Sequence, residues 1–422
     1  MKDFSTISTH STTNTNLILI YLYIIRAKNI NLRNPYVEKN KSQINVIFFR
    51  KEIAMKILCN NASLCGAVTN VSKAVSERAA LKSLEGIKFK LENSVLELTG
   101  YDLEIGIKTV IPVKSDDSGE FILNAKLFSE MIRKMPSEEI LIEVSENFQV
   151  TISGGVTTFN IPATSAEEYP ALPKKEEENK ITISQPVLKD MINQTKFAVA
   201  VTDLKPVLKG ELFEIENGTL TLVALDGYRL AVRYEPIKYD GSLKFVVPAK
   251  TLSEIAALLG DNDEETASVY LSKNHVVFEL NGYLVYSRLI EGEFHPYKSA
   301  IPTTCTTEVI VDRKELIAAL ERSLILISDR TPSPARCYFE NNSIKINCST
   351  SVGKITDEIK ADIAGPVIEI GFKCKYLLDP LKVIKEDKVK LQMSGSLLPM
   401  KIVPCEGDAY TYLVLPVRLA KE

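Results

Sequence analysis

The sequence predicts an α+β protein of three similar tandem domains, each with an internal pseudo-twofold repeat. A short amphipathic helix that follows an apolar strand recurs six times at nearly even spacing. The stretches between these helices alternate apolar and polar residues with a period of two, as half-buried strands do. With 422 residues, the chain is also too long for one typical domain.

The six predicted helices are separated by steps of 63, 60, 64, 64 and 61 residues. Their predicted starts are Asn61, Asn124, Ser184, Pro248, Asp312 and Lys373. Four of these residues are Asn, Ser or Asp, which cap the free N–H groups of a first helical turn. Apolar residues at helical spacing predict one buried face per helix. In the second helix these are Leu127, Phe128, Met131 and Met135, and in the fifth Leu316, Ala319 and Leu320, with Ser323.

Alternating strands are predicted at residues 86–92, 95–98, 103–107, 212–215 and 343–347. The hairpin at 219–232 turns at Asp226-Gly227, because this pair supplies the positive φ of a tight turn. Tyr228 and Arg229, directly after the turn, are expected at the surface. Two Asn-Gly pairs, at 217–218 and 281–282, predict further hairpins.

Two breaks follow every second helical unit. A charged segment with prolines covers 170–180, and a second Pro- and Thr-rich segment covers 296–307. The predicted domains are therefore 55–174, 181–301 and 307–422.

Residues 1–54 differ in composition from the rest and show no sustained periodicity. Their apolar run, 17–25, is shorter than the about 20 residues that a membrane span needs. Codons for Arg50-Lys51-Glu52 can form a purine-rich ribosome-binding sequence just before Met55. We therefore expect Met55 to be the native start and 1–54 to be a poorly ordered, non-native leader.

Seven Cys without a CxxC pair and only three His favour a cytoplasmic protein with reduced thiols and no metal site. The chain has a formal net charge of −3, but this charge is unevenly distributed. The six helical segments carry 14 basic and seven acidic residues, and the leader carries eight and three, so the remainder holds −15. Helices that shared one face would form a basic surface able to bind duplex DNA through its phosphates. From these segments we select Lys73, Arg133, Lys134 and Lys196.

The sequence lacks the dinucleotide, P-loop, zinc-protease and serine-hydrolase motifs, so no cofactor and no catalytic residue is predicted. A metal-dependent nucleic-acid enzyme remains an alternative, with Asp102, Glu104, Asp226 and Asp357 near strand ends. Asp102 and Asp226 recur at equivalent turns, however, which favours an architectural role. A repeat-built scaffold that binds proteins but not DNA is the other alternative.

From Met55 onward the chain resembles the β subunit of bacterial DNA polymerase III, the replication sliding clamp. Four segments carry the resemblance: SERAAL at 76–81, LTGYDLE at 98–104, LDGYRLA at 225–231 and YLVLPVRL at 412–419. The resemblance implies a head-to-tail homodimer that closes into a ring of six domains, with helices lining the hole and sheets outside. It also implies no membrane association and four partners: duplex DNA, the replicative polymerase α subunit, the clamp loader and other proteins with a clamp-binding motif.

The resemblance also implies three sets of site residues. DNA contacts carry over to Arg78, Thr202, Lys205 and Pro206. Dimer contacts carry over to Phe159 on one edge and to Ile325 and Leu326 on the other. A groove for an apolar peptide, between the central and C-terminal domains, carries over to Leu208, Leu225, Gly227, Tyr228, Arg229, Leu230, Ser299, Leu397, Pro399, Met400, Leu413, Leu415, Pro416, Val417 and Arg418.

Two segments depart from the family pattern. Residues 293–300 lack the usual Phe-Pro-Asp-Tyr, and Ser299 stands where Arg is common. Leu415 and Val417 replace two methionines of the usual terminal motif. Because Leu and Val are stiffer than Met, we expect a less adaptable groove.

Overall fold

A computed structural model describes residues 53–202, 205–328 and 332–419. From the second strand onward, the strands pair antiparallel with one another. The strands are β1 Ile53–Asn60, β2 Gly86–Glu92, β3 Val95–Tyr101, β4 Ile105–Pro112, β5 Gly119–Asn124, β6 Glu139–Ser145, β7 Gln149–Gly154, β8 Thr157–Pro162, β9 Lys180–Ser184, β10 Gly210–Glu216, β11 Thr219–Leu225, β12 Arg229–Pro236, β13 Leu243–Pro248, β14 Thr266–Leu271, β15 His275–Leu280, β16 Tyr283–Arg288, β17 Thr307–Asp312, β18 Ala335–Glu340, β19 Ser343–Thr350, β20 Gly353–Ala364, β21 Ile368–Phe372, β22 Lys388–Met393, β23 Met400–Val403 and β24 Tyr410–Val414.

Six α-helices lie in the described part of the chain, each directly after a strand. They are α1 Asn61–Val71, α2 Ala125–Arg133, α3 Gln185–Thr195, α4 Ala249–Leu258, α5 Arg313–Leu324 and α6 Cys374–Val383. Short 3₁₀ turns extend α1 over Ser72–Ala74 and α3 over Lys196–Ala198. The predicted recurrence of strand and helix is confirmed, and with it the α+β fold class.

Five of the six predicted starts are the N-cap residues themselves, and the first helix is capped one residue earlier, by Asn60. The Asn60, Asn124 and Asp312 side chains accept hydrogen bonds from the backbone N–H three residues on. Ser184 makes no such bond. These oxygens satisfy N–H groups that have no partner within the helix.

Two details of the predicted pattern are wrong. Leu127 is 43% exposed, whereas Phe128 and Met135 are buried as predicted; Ala125, Ser129 and Ile132 complete the buried face of α2. The strand predicted to begin at residue 103 begins at Ile105, because Leu103 adopts a positive φ within the turn. The buried face predicted for α5 is confirmed.

The strands form three sheets with the orders β1-β6-β7-β8, β5-β2-β3-β4-β16-β15-β14-β9 and β13-β10-β11-β12-β24-β23-β22-β17-β20-β19-β18-β21. Two pairings cross between successive parts of the chain. β4 pairs with β16, and β12 pairs with β24. We call these the first and second junctions.

The helices pack on one face of the sheets in the order α2-α1-α4-α3-α6-α5, in which α1 and α4 are linked by a side-chain ion pair. Helix α1 packs closely against α2, α3 against α4 and α5 against α6. Lys73, after α1, forms a 3.4 Å ion pair with Glu254 of α4. α3 contacts α6, and Lys385 forms an ion pair with Asp190 of α3. The six helices therefore form one continuous row, and smaller apolar clusters lie on the opposite sheet face.

Candidate nucleic-acid interface and partner groove

The row of helices exposes several of the cations selected from the sequence. Arg133, Lys134 and Lys196 are exposed, and the Arg133 guanidinium donates to the Ser129 hydroxyl at 2.9 Å. Lys73 differs, because its side chain is 30% exposed and paired with Glu254. Lys73 therefore joins two helices, whereas the other three side chains present charge to the surface of the row.

The predicted DNA-contact segments occupy equivalent places in the fold. Arg78 follows α1 and its 3₁₀ turn, and Thr202 follows α3 and its 3₁₀ turn. Arg78, Thr202, Lys205 and Pro206 are all exposed. The Ala200 N–H donates to the Leu208 carbonyl at 2.9 Å, and this hydrogen bond joins the two ends of the segment that contains Thr202, Lys205 and Pro206.

Val201, which sequence reasoning missed, is 94% exposed between these polar neighbours. No helical or strand period marks it, so only its position next to Thr202 could have drawn attention to it.

On the sheet face opposite the helices, three leucines form the floor of the predicted groove. Leu225 pairs with Leu230, and Leu230 pairs with Leu413, so the three side chains stand in one row across β11, β12 and β24. All three are buried in one apolar cluster, and Leu208 packs against it. Tyr297 belongs to the same cluster, and its hydroxyl donates a hydrogen bond to Glu214 at 2.7 Å. Burial raises the pKa of Tyr297, and the adjacent Glu214 carboxylate raises it further.

The rim above this floor is apolar and exposed. Leu397 is 67% exposed, and Leu415 and Val417 are each 39% exposed. The Leu415 N–H donates to the Tyr228 carbonyl at 2.9 Å, which holds the C-terminal segment against the hairpin turn. Gly227 takes a φ of +87° at the first central position of this turn, so the two-residue loop is Gly227-Tyr228 and not Asp226-Gly227 as predicted.

The remaining predicted groove residues take varied positions. Pro399 and Pro416 are half-buried and Arg418 is exposed. Ser299 is exposed and donates from its hydroxyl to the Pro296 carbonyl at 2.8 Å.

The side chains of two of the predicted groove residues lie on the helix side of the sheet, opposite the leucine row. Met400 is fully buried in the core beneath α5 and α6. Arg229 pairs with Val414 of that core, and its side chain is 10% exposed. Its Nε donates to Asp226 at 3.0 Å, and Nη1 donates to Asp379 of α6. Because successive strand residues face opposite sides, Arg229 cannot share a face with Leu230.

Sequence reasoning missed the roles of two residues at the start of α6, the N-cap Lys373 and Tyr376 of the first turn. The ring of Tyr376 stacks on Tyr228 with centroids 5.8 Å apart and also lies 4.6 Å from the Arg229 guanidinium. The Lys373 ammonium lies 4.5 Å above the same ring. The signal in the sequence was the predicted helix start at Lys373, which places Tyr376 in the first turn.

The predicted dimer residues lie at two strand edges. Among the described residues, β8 pairs only with β7, and the first half of β20 pairs only with β19. Phe159 of β8 is partly buried against the core, whereas Ile325, after α5, is 81% exposed. The Leu326 Cδ2 atom lies 3.7 Å from where a Cβ on Gly353, the first residue of β20, would be.

The carboxylates of the enzyme alternative make structural contacts. Asp102 accepts from the N–H groups of Glu104 and Ile105 at 3.0 and 2.7 Å, and Asp226 accepts from Tyr228 and Arg229 at 2.9 and 3.0 Å. Asp357 pairs with Arg322 on the surface. Across residues 53–202, 205–328 and 332–419, no group of three or more His, Cys, Asp or Glu is arranged to hold a metal ion.

No helix in the described ranges has the length and apolarity that crossing a membrane requires.

Three family models match the chain in tandem. They describe the N-terminal, central and C-terminal domains of the DNA polymerase III β subunit and match residues 55–173, 182–296 and 298–418. The β sliding clamp of Halalkalibacterium halodurans is 35% identical over 366 residues, which cover 83% of this chain and 96% of that protein.

Solved structures agree with these matches. The sliding clamp of Bacillus subtilis aligns with a TM-score of 0.84 and 33% identity, over 87% of this chain and 100% of that one. A sliding clamp of Pseudomonas aeruginosa, solved with bound griselimycin, aligns with a TM-score of 0.82 and 27% identity, over 87% and 100%.

Proposed function

Because this chain belongs to the bacterial DNA polymerase III β-subunit family, the DNA sliding clamps, we propose that two copies close head to tail into a ring around duplex DNA. The ring tethers the replicative polymerase in the cytoplasm and catalyses no reaction of its own. The observation that carries the proposal is the continuous row of six helices with exposed cations, backed by sheets in which, among the described residues, β8 and the first half of β20 leave an edge unpaired. The proposed domain boundaries remain 55–174, 181–301 and 307–422.

The row of helices is suited to contact DNA without reading its sequence. Arg133, Lys134 and Lys196 are long exposed cations, and such side chains bind phosphates irrespective of the bases. Arg78 and Lys205 extend the basic surface at the two equivalent segments. Contacts of this kind are strongly weakened by salt. Enclosure of the duplex supplies the persistence that such contacts lack.

Ring closure uses the two unpaired edges. The edge of β8 in one copy can pair with the open half of β20 in the next, so that each sheet continues across the interface. The Phe159 ring then lies near Ile325 and Leu326 of the other copy. A head-to-tail contact of this type forms a closed ring when the rotation between copies closes, and it removes edges that would otherwise promote aggregation.

The groove beside the second junction is proposed to hold short apolar segments of partners. The leucine floor and the exposed Leu397, Leu415 and Val417 offer apolar contacts, and the exposed Arg418 supplies charge at the rim. Peptide sites of this kind derive most of their affinity from a few buried apolar anchors. The proposed partners are the polymerase α subunit, the clamp loader and other proteins that carry the same motif.

The decisive experiment compares retention on circular and linear duplex DNA after loading by the clamp loader of a related bacterium. We expect slow loss from nicked circles and rapid loss from linear DNA with free ends, independent of sequence. The Phe159→Asp variant, with its edge contact broken, should be lost from both at the same rate. Equal retention of the unaltered protein on circles and linear DNA would overturn the proposal.

A further inference from the structure

We propose that Glu211 is a neutral carboxylic acid that holds the end of α3 and so positions Lys196 and the segment to Thr202 towards DNA. This proposal rests on the proposed function. Glu211 lies on β10 and is completely buried. It acts through Thr195, the last residue of α3.

The number of hydrogens available to the Thr195 hydroxyl indicates the protonation state of Glu211. The Thr195 Oγ1 atom lies 2.6 Å from Glu211 Oε2 and 2.8 Å from the Met191 carbonyl oxygen. A hydroxyl has one hydrogen to donate, and a carboxylate and a carbonyl are both acceptors only. Both contacts are hydrogen bonds if Glu211 carries the proton and donates it to Thr195, while Thr195 donates to Met191.

The surroundings also favour the neutral acid. Val247 lies opposite Glu211 on β13, and the next residues on the same face of β10, Phe213 and Ile215, belong to the apolar core. Lys196 is the charged side chain that acts on Glu211, and among the described residues no second one is found to do so. Burial raises the pKa of Glu211 to about 8, while Thr195 and Lys196 act in the opposite direction without overcoming it.

Loss of this proton changes the segment that faces DNA. An ionised Glu211 competes with the Met191 carbonyl for the single Thr195 hydrogen and leaves a charge in an apolar site. The nearest compensation is the Lys196 ammonium, which directly follows Thr195 and is otherwise exposed. Drawing Lys196 inwards, or loosening the end of α3, removes one cation from the phosphate-binding surface.

The test measures affinity for a nicked circular duplex as a function of salt at pH 7 and pH 9. We expect the slope of log K against log salt in the unaltered protein to become smaller in magnitude by about 1.8, because each of the two copies in the ring loses one phosphate contact that contributes about 0.9. Glu211→Gln stays neutral and can donate to Thr195, so its slope should be the same at both pH values. Equal pH dependence in the two proteins would overturn the proposal.

A second measurement needs no variant and no DNA. Difference infrared spectroscopy of the unaltered protein should show a buried protonated carboxyl band at pH 7 that disappears by pH 9. Absence of this band at pH 7 would overturn the proposal even if Glu211→Gln failed to fold. If instead the unaltered protein at pH 7 showed no preference for circular over linear DNA, the proposed function would fail, whatever the infrared result.

Discussion

Arg229 ties the second junction together, and its removal should weaken that junction. The side chain belongs to β12, but its guanidinium reaches Asp379 of α6 as well as the local Asp226. It also lies 4.6 Å from the Tyr376 ring and 5.5 Å from the Phe197 ring. The perturbation is Arg229→Met, which keeps an apolar stem of similar length and removes the charge.

The magnitude follows from burial. The Arg229, Asp226 and Asp379 side chains are 10%, 12% and 22% exposed. Removing one partner of a fully buried ion pair costs about 3–5 kcal/mol, whereas an exposed pair contributes about 0–1 kcal/mol. Because the exposure here is intermediate, and because the substitution also removes the cation–π interaction with Tyr376, we expect the free energy of unfolding to fall by about 2–3 kcal/mol.

The assay is urea denaturation of Arg229→Met, Asp379→Asn and the double variant. We expect a coupling free energy of about 1–2 kcal/mol between Arg229 and Asp379, because they contact each other directly. The Tyr228 turn should also shift, which would weaken binding of an apolar peptide at the adjacent rim. A coupling energy near zero, or an unfolding free energy unchanged in Arg229→Met, would refute the assignment of Arg229 to the junction.

Three further predictions address the groove, the edge and the core. Leu415→Asp should weaken binding of a partner peptide at least about tenfold, measured by calorimetry, because a charge would replace an exposed apolar contact; the dimer should sediment unchanged, because Leu415 is not at the proposed ring interface. Phe159→Asp should shift the dimer towards monomer in sedimentation velocity, whereas Thr158→Asp, on the opposite face of the strand, should shift it less. Glu211→Leu should lessen the pH dependence of the free energy of unfolding. Because the pKa of Glu211 is raised in the folded protein, the native state holds a proton between pH 4.5 and about 8 that the unfolded state has released. The unfolding free energy of the unaltered protein should therefore fall, relative to the variant, by up to about 1.4 kcal/mol per pH unit across that window and change little above it; a constant difference between the two proteins would contradict this.

The sequence predicts helix starts well where a capping side chain fixes them. Asn124 and Asp312 bond the first turn directly, so their positions are set by local chemistry. The face of a strand residue is different, because it depends on which neighbours pair with the strand and in what register. Arg229 and Leu230 are adjacent in sequence, yet one faces the helices and the other the groove. A resemblance that assigns both to one groove cannot separate them, and the same holds for Met400.

The expectations for the leader lie outside the described residues, except that Ile53 and Ala54 begin β1. Tyr376 was missed for a different reason. Its partners, Tyr228 and Arg229, belong to another part of the chain, so their meeting depends on the pairing of β12 with β24. Local periodicity marks which residues of α6 are buried, but it contains no information on which turn they meet.

The two junctions share a backbone register and differ most in the side chain at the middle of one row, which is glycine at the first junction and leucine at the second. Tyr101, Gly106 and Tyr286 form a row at the first junction in the register that Leu225, Leu230 and Leu413 take at the second. At the first junction Leu172 packs over the strand, 2.5 Å from where a Cβ on Gly106 would be. The segment that contains Leu172 can lie there because Gly106 has no side chain.

At the second junction the Leu230 side chain fills the equivalent space. The segment that follows the central domain therefore packs beside the row of Leu225, Leu230 and Leu413, where Ile301 contacts their apolar cluster. Leu415, two residues after Leu413 of this row, remains exposed. The shared Asp102 and Asp226 turns explain why the junctions look alike in sequence. The exchange of Gly106 for Leu230 explains why a peptide groove is expected at only one of them.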